Sequence, residues 1–222
     1  MKLNLLSKGL LLIVISLSSL QGQTRFPVTR NHINGKEQER ESRLQLTMKI
    51  ASTEYCVGDS ELDGLRLKVR LIYTNKSKHN LILYKGSRLI SRIMISRNFA
   101  DAAAKRFEVN ASLTQLTSGG DKCYAGAAPN KCFIVLPPGA SYEVEGIAGI
   151  FVVRGDAREI TGAVKSGDHV LQVEVITWHE SDEMAKNLRA RWRRYGTVWY
   201  EPITSEPMPF TVEKQRKIVD CP

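Results

Sequence analysis

The strongest constraint on the fold is a run in which aliphatic and basic residues alternate, Leu65-Arg66-Leu67-Lys68-Val69-Arg70-Leu71. Successive side chains of a β-strand point to opposite faces, so this run predicts a half-buried strand with one aliphatic and one basic face. Leu44, Leu46, Met48 and Ile50 alternate with polar residues in the same way. Two such strands at the start of the folded region predict a protein built from sheets.

Further strand-like runs follow, and turns rich in Gly, Pro, Asn and Ser separate them. The predicted strands cover residues 81–84, 89–96, 107–116, 133–136, 142–153, 170–178 and 210–212. Many short strands with little helix are typical of an all-β protein. The sequence therefore predicts an antiparallel β-sandwich.

One helix interrupts the strand pattern between residues 182 and 195. Met184, Ala185, Leu188 and Trp192 fall on one face of a helix of 3.6 residues per turn. Ser181 precedes the segment as an N-cap, and Gly196 follows it as a stop. We expect an amphipathic helix near the C-terminus, inserted into the sandwich.

The first residues resemble an export signal. Lys2 and Lys8 precede an apolar run from Gly9 to Leu20, which is shorter than the roughly 20 residues of a membrane span. We expect residues 1–22 to be a cleaved signal peptide, with retention as an anchor as the alternative. Residues 23–41 are polar and predict a flexible extension, and residues 42–222 form the predicted domain. The mature chain would have no transmembrane span and would be periplasmic or extracellular.

Export into an oxidising compartment favours disulfides among the four cysteines. Three connectivities are open. We favour Cys123 with Cys132, which closes a short loop, and Cys56 with Cys221, which ties an early strand to the C-terminus. The cysteine spacing includes no C-x-x-C pair and the four histidines are scattered, so we expect no metal site.

Three segments resemble secreted bacterial immunoglobulin-like β-sandwich domains. These are Leu71-Ile72-Tyr73-Thr74-Asn75-Lys76-Ser77, Val135-Leu136-Pro137-Pro138-Gly139 and Gly167-Asp168-His169-Val170-Leu171-Gln172-Val173. The resemblance covers roughly residues 42–222 and concerns the fold. It implies an immunoglobulin-like sandwich, an architecture shared by adhesion modules, accessory domains of polymer-degrading enzymes and proteinase inhibitors. It places no functional residue in this chain.

The formal net charge of +9 suggests an anionic partner. Arg66, Lys68 and Arg70 share one face of their predicted strand and are candidate ligand-binding residues. Arg189 and Arg193 are further candidates, because all three tryptophans lie near the predicted helix and indole rings with guanidinium groups can hold a glycan. The alternative is that Trp192 anchors the helix while Trp178 and Trp199 fill the core. An anionic polymer, a glycan or an envelope protein is the expected partner; nucleic acid is not expected, and the chain is expected to be a monomer.

Catalytic signatures give little guidance. The sequence has no G-x-S-x-G elbow, phosphate-binding glycine loop or H-E-x-x-H motif, so we predict no catalytic residue and no cofactor. The favoured function is an exported, non-enzymatic binding or structural module of the cell envelope or extracellular space. One alternative is a secreted proteinase inhibitor that presents the Cys123–Cys132 loop, and the second is a hydrolase whose site residues are dispersed along the chain.

Overall fold

The computed structural model describes residues 43–58, 61–86, 89–116, 126–155, 158–178 and 180–221. All of them belong to one unit, Arg40–Pro222. The predicted signal peptide, residues 1–22, and the predicted extension, residues 23–41, lie outside the described residues. In the described part of the chain, no helix is long and apolar enough to span a membrane.

Strands dominate the described residues, as the alternation of side chains predicted. In chain order the elements are β1 Leu44–Cys56, β2 Leu62–Asn75, β3 Leu81–Tyr84, β4 Ile90–Ser96, α1 Phe99–Ala103, β5 Val109–Gln115, β6 Phe133–Leu136, β7 Ser141–Val153, β8 Ala163–Val164, β9 Gly167–Ile176, α2 Asp182–Trp192, β10 Thr197–Val198, β11 Ile203–Thr204, β12 Met208–Val212 and β13 Ile218–Val219. The prediction of an all-β protein is confirmed.

Two sheets contain these strands. The larger one follows the order β11-β9-β4-β5-β7-β2-β1-β13, with β12 also paired to β9 and β8 to β7, and the smaller one has the order β10-β3-β6. The long pairings are antiparallel, but β13 with β1, β8 with β7 and β10 with β3 are parallel. The prediction of a purely antiparallel fold is therefore wrong. Each parallel pair includes a strand of two residues, too short to leave a periodic signal in the sequence.

Strand β5 joins the two halves of the larger sheet. Its residues as far as Ser112 pair with β4, whereas Leu113 to Gln115 pair with β7. The halves on either side of this change of partner share one hydrophobic core. Leu67 and Val69 come from one half and Ile93 and Val173 from the other, and all four are fully buried.

The small sheet lies between this core and a second apolar cluster. On β3, Leu81 and Leu83 belong to the main core, while Ile82 and Tyr84 belong to the second cluster together with Leu188 and Trp192 of α2. Helix α2 thus covers the face of the small sheet that points away from the main core.

The predicted helix is confirmed at its start and ends three residues early. The Ser181 hydroxyl accepts a hydrogen bond from the Met184 N–H at 3.3 Å, as expected of an N-cap. The helix ends at Trp192, and residues 193–195 form a turn before Gly196. Gly196 has φ +153°, and a side chain there would collide with the Asn80 carbonyl oxygen.

The C-terminal segment is fixed to the start of the domain. The predicted Cys56–Cys221 disulfide is present, with Cα atoms 5.3 Å apart, and this pairing excludes the two alternative connectivities. Cys132 is also disulfide-bonded. Its predicted partner, Cys123, lies outside the described residues.

Two of the three segments that carry the family resemblance meet at Asn75. The side-chain amide nitrogen of the buried Asn75 donates to the Leu136 backbone carbonyl at 2.8 Å. The Gly139 N–H donates to the Asn75 backbone carbonyl, also at 2.8 Å. The Asn75 side-chain oxygen accepts the Ser77 N–H at 2.9 Å. These bonds join the end of β2 to the turn between β6 and β7.

Candidate binding surface

The predicted basic residues lie on the outer face of the sheet formed by β1, β2 and β7. The register pairs Arg66 with Glu54, Lys68 with Ser52 and Arg70 with Lys49 across to β1. The aliphatic residues between them point into the core. The structure therefore brings Arg66, Lys68 and Arg70 together on one surface, as the alternation predicted.

Acidic residues of the neighbouring strands accompany these cations. Arg70 forms an ion pair with Glu143 at 2.8 Å, and Arg66 lies 3.7 Å from Glu54. Both pairs are partly exposed, so each contributes less than about 1 kcal/mol to stability. The outer face is a mixed-charge surface on which Arg66 and Arg70 each have a partly exposed carboxylate partner.

An apolar groove crosses this face beside Arg66. One row of the sheet runs from Val219 through Cys56 and Gly64 to Phe151. Phe151 is 60% exposed and Val219 38% exposed, although both belong to strands of a well-packed domain. A groove of about 280 Å³ lies over this row, and Cys56, Gly64, Arg66, Ile147, Gly149 and Phe151 are among its lining residues.

Glycines form the floor of the groove. Gly64 and Gly149 occupy outward positions, where other residues would place side chains over the sheet. A Cβ at Gly149 would meet no atom within 4 Å, so the space above this residue is open. Sequence reasoning missed the groove. Its signal was Phe151 at an outward position of β7, two residues after the outward Gly149.

Of the other predicted ligand-binding residues, Arg189 lies on α2 and Arg193 directly follows it, and their surroundings differ from the expected aromatic platform. Trp178, Trp192 and Trp199 are all buried, so none offers its face to a ligand. The Arg189 Nε donates to the Val198 carbonyl at 2.8 Å, and its guanidinium carbon lies 4.2 Å from the centre of the Tyr200 ring. Arg193 is exposed at the C-cap of the helix. Arg189 thus attaches the helix to β10.

A cleft of about 740 Å³ near α1 is lined mainly by charged residues that pair with one another. Arg97 contacts Glu108 at 2.7 Å and Glu159 at 2.8 Å, and Arg106 contacts Asp101 at 2.5 Å. The hydrogen bond from Arg97 to Glu108 and the charges of Glu159 and Glu108 raise the pKa of Arg97. The carboxylates of Asp101, Glu108 and Glu159 are thus ion-pair partners of arginines in this cleft.

The described residues contain no group of three or more His, Cys, Asp or Glu side chains that could hold a metal ion. The proteinase-inhibitor alternative depends on the loop from Cys123 to Cys132. Residues 123–125 of this loop lie outside the described residues. The chain matches no known family model, no curated protein sequence and no solved structure.

Proposed function

We propose that this chain is an exported, non-enzymatic binding module of the cell envelope or extracellular space, with an immunoglobulin-like sandwich as its scaffold. It docks a protein segment in the groove over Gly64 and Gly149. The Cys56–Cys221 disulfide supports the exported location, because such bonds persist in oxidising compartments. The long antiparallel strands and the core shared by the two halves of the sheet support the scaffold.

The exposed Phe151 row is the observation that carries this proposal. Single exposed apolar side chains are common on soluble proteins, whereas adjoining ones mark interaction sites. Here Phe151 and Ile147 both line the groove, and Cys56 and Gly64 continue the row of Phe151 towards the exposed Val219 at its other end. Exposing these apolar side chains to water costs free energy, and a partner that covers the row removes this cost.

The chemistry of the groove defines the partner. The floor and one wall are apolar, while Arg66 lines the groove and Lys68 belongs to the next outward row. An apolar centre with a charged rim is typical of protein–protein contacts. We therefore assign the groove to an apolar side chain of a protein segment whose neighbouring residues are acidic. Those carboxylates would replace Glu54 beside Arg66 and Glu143 beside Arg70.

A labelled peptide tests this assignment by fluorescence anisotropy. The probe has a central Phe-Leu pair flanked by Asp residues, and its counterpart carries Lys at the flanking positions. We expect saturable binding of the acidic peptide, weakening as salt rises because the rim charges become screened. Gly149→Leu should weaken binding at least tenfold, because the new side chain would project from an open Cβ position into the groove.

The matched control is Thr47→Leu, which adds the same side chain to an exposed position of the same sheet face, in the row of Ile72 and Glu143. It should leave the affinity unchanged. The double charge reversal Arg66→Glu with Arg70→Glu should abolish the preference for the acidic peptide. The proposal is wrong if the wild-type protein binds neither peptide, binds both equally, or binds the acidic peptide as tightly after Gly149→Leu.

A further inference from the structure

A further cavity, separate from the groove and the cleft, has the Gln115 side chain in its lining. Its inner chamber is lined by Tyr73, Tyr84, Tyr142 and Thr177 together with aliphatic residues, and has room for one group the size of a water molecule. A vestibule of about 300 Å³ lies beside it, lined by residues that include Ser91 and Thr114. Leu89 and Gln115 line both spaces, so the chamber and the vestibule adjoin at these two side chains.

The Gln115 amide has one end paired and the other end without a partner. Its nitrogen donates to the Tyr73 hydroxyl at 3.0 Å and to the Ser91 hydroxyl at 2.6 Å. Its oxygen is buried and has no hydrogen-bond partner among the described residues. A buried amide group without a partner costs about 1–3 kcal/mol, and native proteins rarely leave that cost unrelieved.

The chemistry of the missing partner follows from the amide itself. Rotation of the amide by 180° would exchange its oxygen and nitrogen, so that Tyr73 and Ser91 donate to the oxygen and the NH₂ group is left unpaired. A hydroxyl group both donates and accepts, and therefore satisfies the open end in either orientation. Burial raises the pKa of Tyr73 above its ordinary value of 10, so its hydroxyl stays uncharged in the site.

The described lining residues are uncharged at neutral pH. The chamber and the vestibule present tyrosines, aliphatic residues, Ser, Thr and Gln, with no Asp, Glu, Lys, Arg or His among them. A charged ligand would lose its hydration against these described residues without gaining a counter-ion from them. The described part of the lining therefore favours a neutral ligand over a charged ligand of the same shape.

We propose that this cavity is a binding site for a small neutral polyhydroxylated molecule of the saccharide class, one hydroxyl of which enters the chamber and pairs with Gln115. The rest of the molecule occupies the vestibule, where the Ser and Thr hydroxyls supply further hydrogen bonds. The site shares no lining residue with the groove over Gly64 and Gly149, so it stands independently of the proposed docking function.

Titration followed by NMR tests the site in the folded chain. The probes are glucose and N-acetylglucosamine, with glucuronic acid and glucosamine as charged counterparts of the same ring. The neutral sugars should shift the side-chain NH₂ resonances of Gln115 saturably, and the charged sugars should bind at least tenfold more weakly. Gln115→Met, which keeps the length of the side chain and removes its polar atoms, should weaken binding of the neutral sugars at least tenfold.

Gln45→Met is the matched control, because Gln45 is exposed on β1 and lines neither space. It should leave the titration unchanged. Ser91→Ala serves as a second variant if Gln115→Met does not fold, and it should also weaken binding. The site is refuted if neither neutral sugar gives a saturable shift, which would mean that the chamber holds only water. Equal affinity for the charged sugars, or unchanged affinity in the folded variants, would refute it as well.

Discussion

Asp63 is a charged residue at an inward position of β2, where the alternation calls for an apolar side chain. It is 1% exposed, and two arginines enclose it. Arg154 contacts one carboxylate oxygen at 2.6 Å and Arg216 contacts the other at 2.9 Å. Burial by itself raises the pKa of Asp63, but the hydrogen bonds and charges of the two arginines outweigh it, so the pKa lies below its ordinary value of 3.8. Asp63 thus connects β2 to the segments that follow β7 and β12.

The lowered pKa predicts a dependence of stability on pH. A carboxyl group whose pKa is lower in the folded state stabilises the fold above its unfolded pKa, and the contribution is lost as pH falls through the folded value. Asp63→Asn should lower the free energy of unfolding by about 3 kcal/mol at neutral pH, because Arg216 is left buried without its counter-ion. The difference from wild type should shrink as pH falls below 3.8. Asp63 then becomes protonated first in the unfolded chain and, at a lower pH, in the folded protein.

Urea unfolding at a series of pH values between about 2 and 7 measures this difference. Asp168→Asn is the control, since Asp168 is exposed and its carboxylate accepts a hydrogen bond from the Thr211 hydroxyl at 2.7 Å. It should change stability little at any of these pH values. A penalty for Asp63→Asn that stays constant down to the lowest pH would contradict the assignment of the effect to the carboxylate charge.

At the scale of elements, α2 and the small sheet depend on each other. Leu188 and Trp192 fill the second apolar cluster, and the Phe133 ring of β6 meets the Trp192 ring edge-to-face at 4.8 Å. Strand β3 contributes to this cluster with one face and to the main core with the other. Loss of helix packing should therefore reach the main core through β3.

Leu188→Ala tests this coupling. Removing a buried leucine side chain should lower the free energy of unfolding by about 2–5 kcal/mol. Hydrogen exchange should accelerate in α2 and β3 together, and thermal unfolding should remain a single transition, because β3 belongs to both clusters. Asn187→Ala, at an exposed position of the same helix, is the control and should have little effect. Separate melting of α2, with unchanged exchange in β3, would contradict the coupling.

At the scale of the whole molecule, the C-terminal segment closes the domain against its first strand. Strand β13 pairs with the end of β1, the Glu213 N–H donates to the Tyr55 hydroxyl at 2.9 Å, and Arg216 reaches Asp63. The Cys56–Cys221 disulfide completes this attachment across a sequence separation of 165 residues. A cross-link between such distant positions strongly restricts the unfolded chain.

Replacing Cys56 and Cys221 by Ser together should lower the free energy of unfolding by about 2–5 kcal/mol, chiefly because the unfolded chain gains conformational freedom. Chemical denaturation of the double variant measures the loss. The Thr47→Leu protein, with its disulfides intact, provides the reference for an outer-face substitution. Wild-type stability of the double variant would show that β13 and Arg216 hold the C-terminus without the covalent link.

Local side-chain patterns made much of the fold predictable. The outward basic residues of β2, its buried aliphatic residues and the capped start of α2 follow from periods of two and 3.6 residues, which each segment shows by itself. The cysteine count and the expected export predict disulfides, and the predicted Cys56–Cys221 pairing is confirmed. The signal peptide, the partner classes and the roles of Arg66, Lys68, Arg70, Arg189 and Arg193 remain predictions.

Tertiary structure alone decided the features that join distant segments. The sequence determined which residues alternate, because side-chain direction in a strand is a local property of the extended backbone. It did not determine which strands pair in parallel or that Arg154 and Arg216 meet Asp63, nor did it place Gly64 beside Phe151. Those contacts bring together residues far apart in the chain, and their geometry depends on sheet register and core packing, which no single segment encodes.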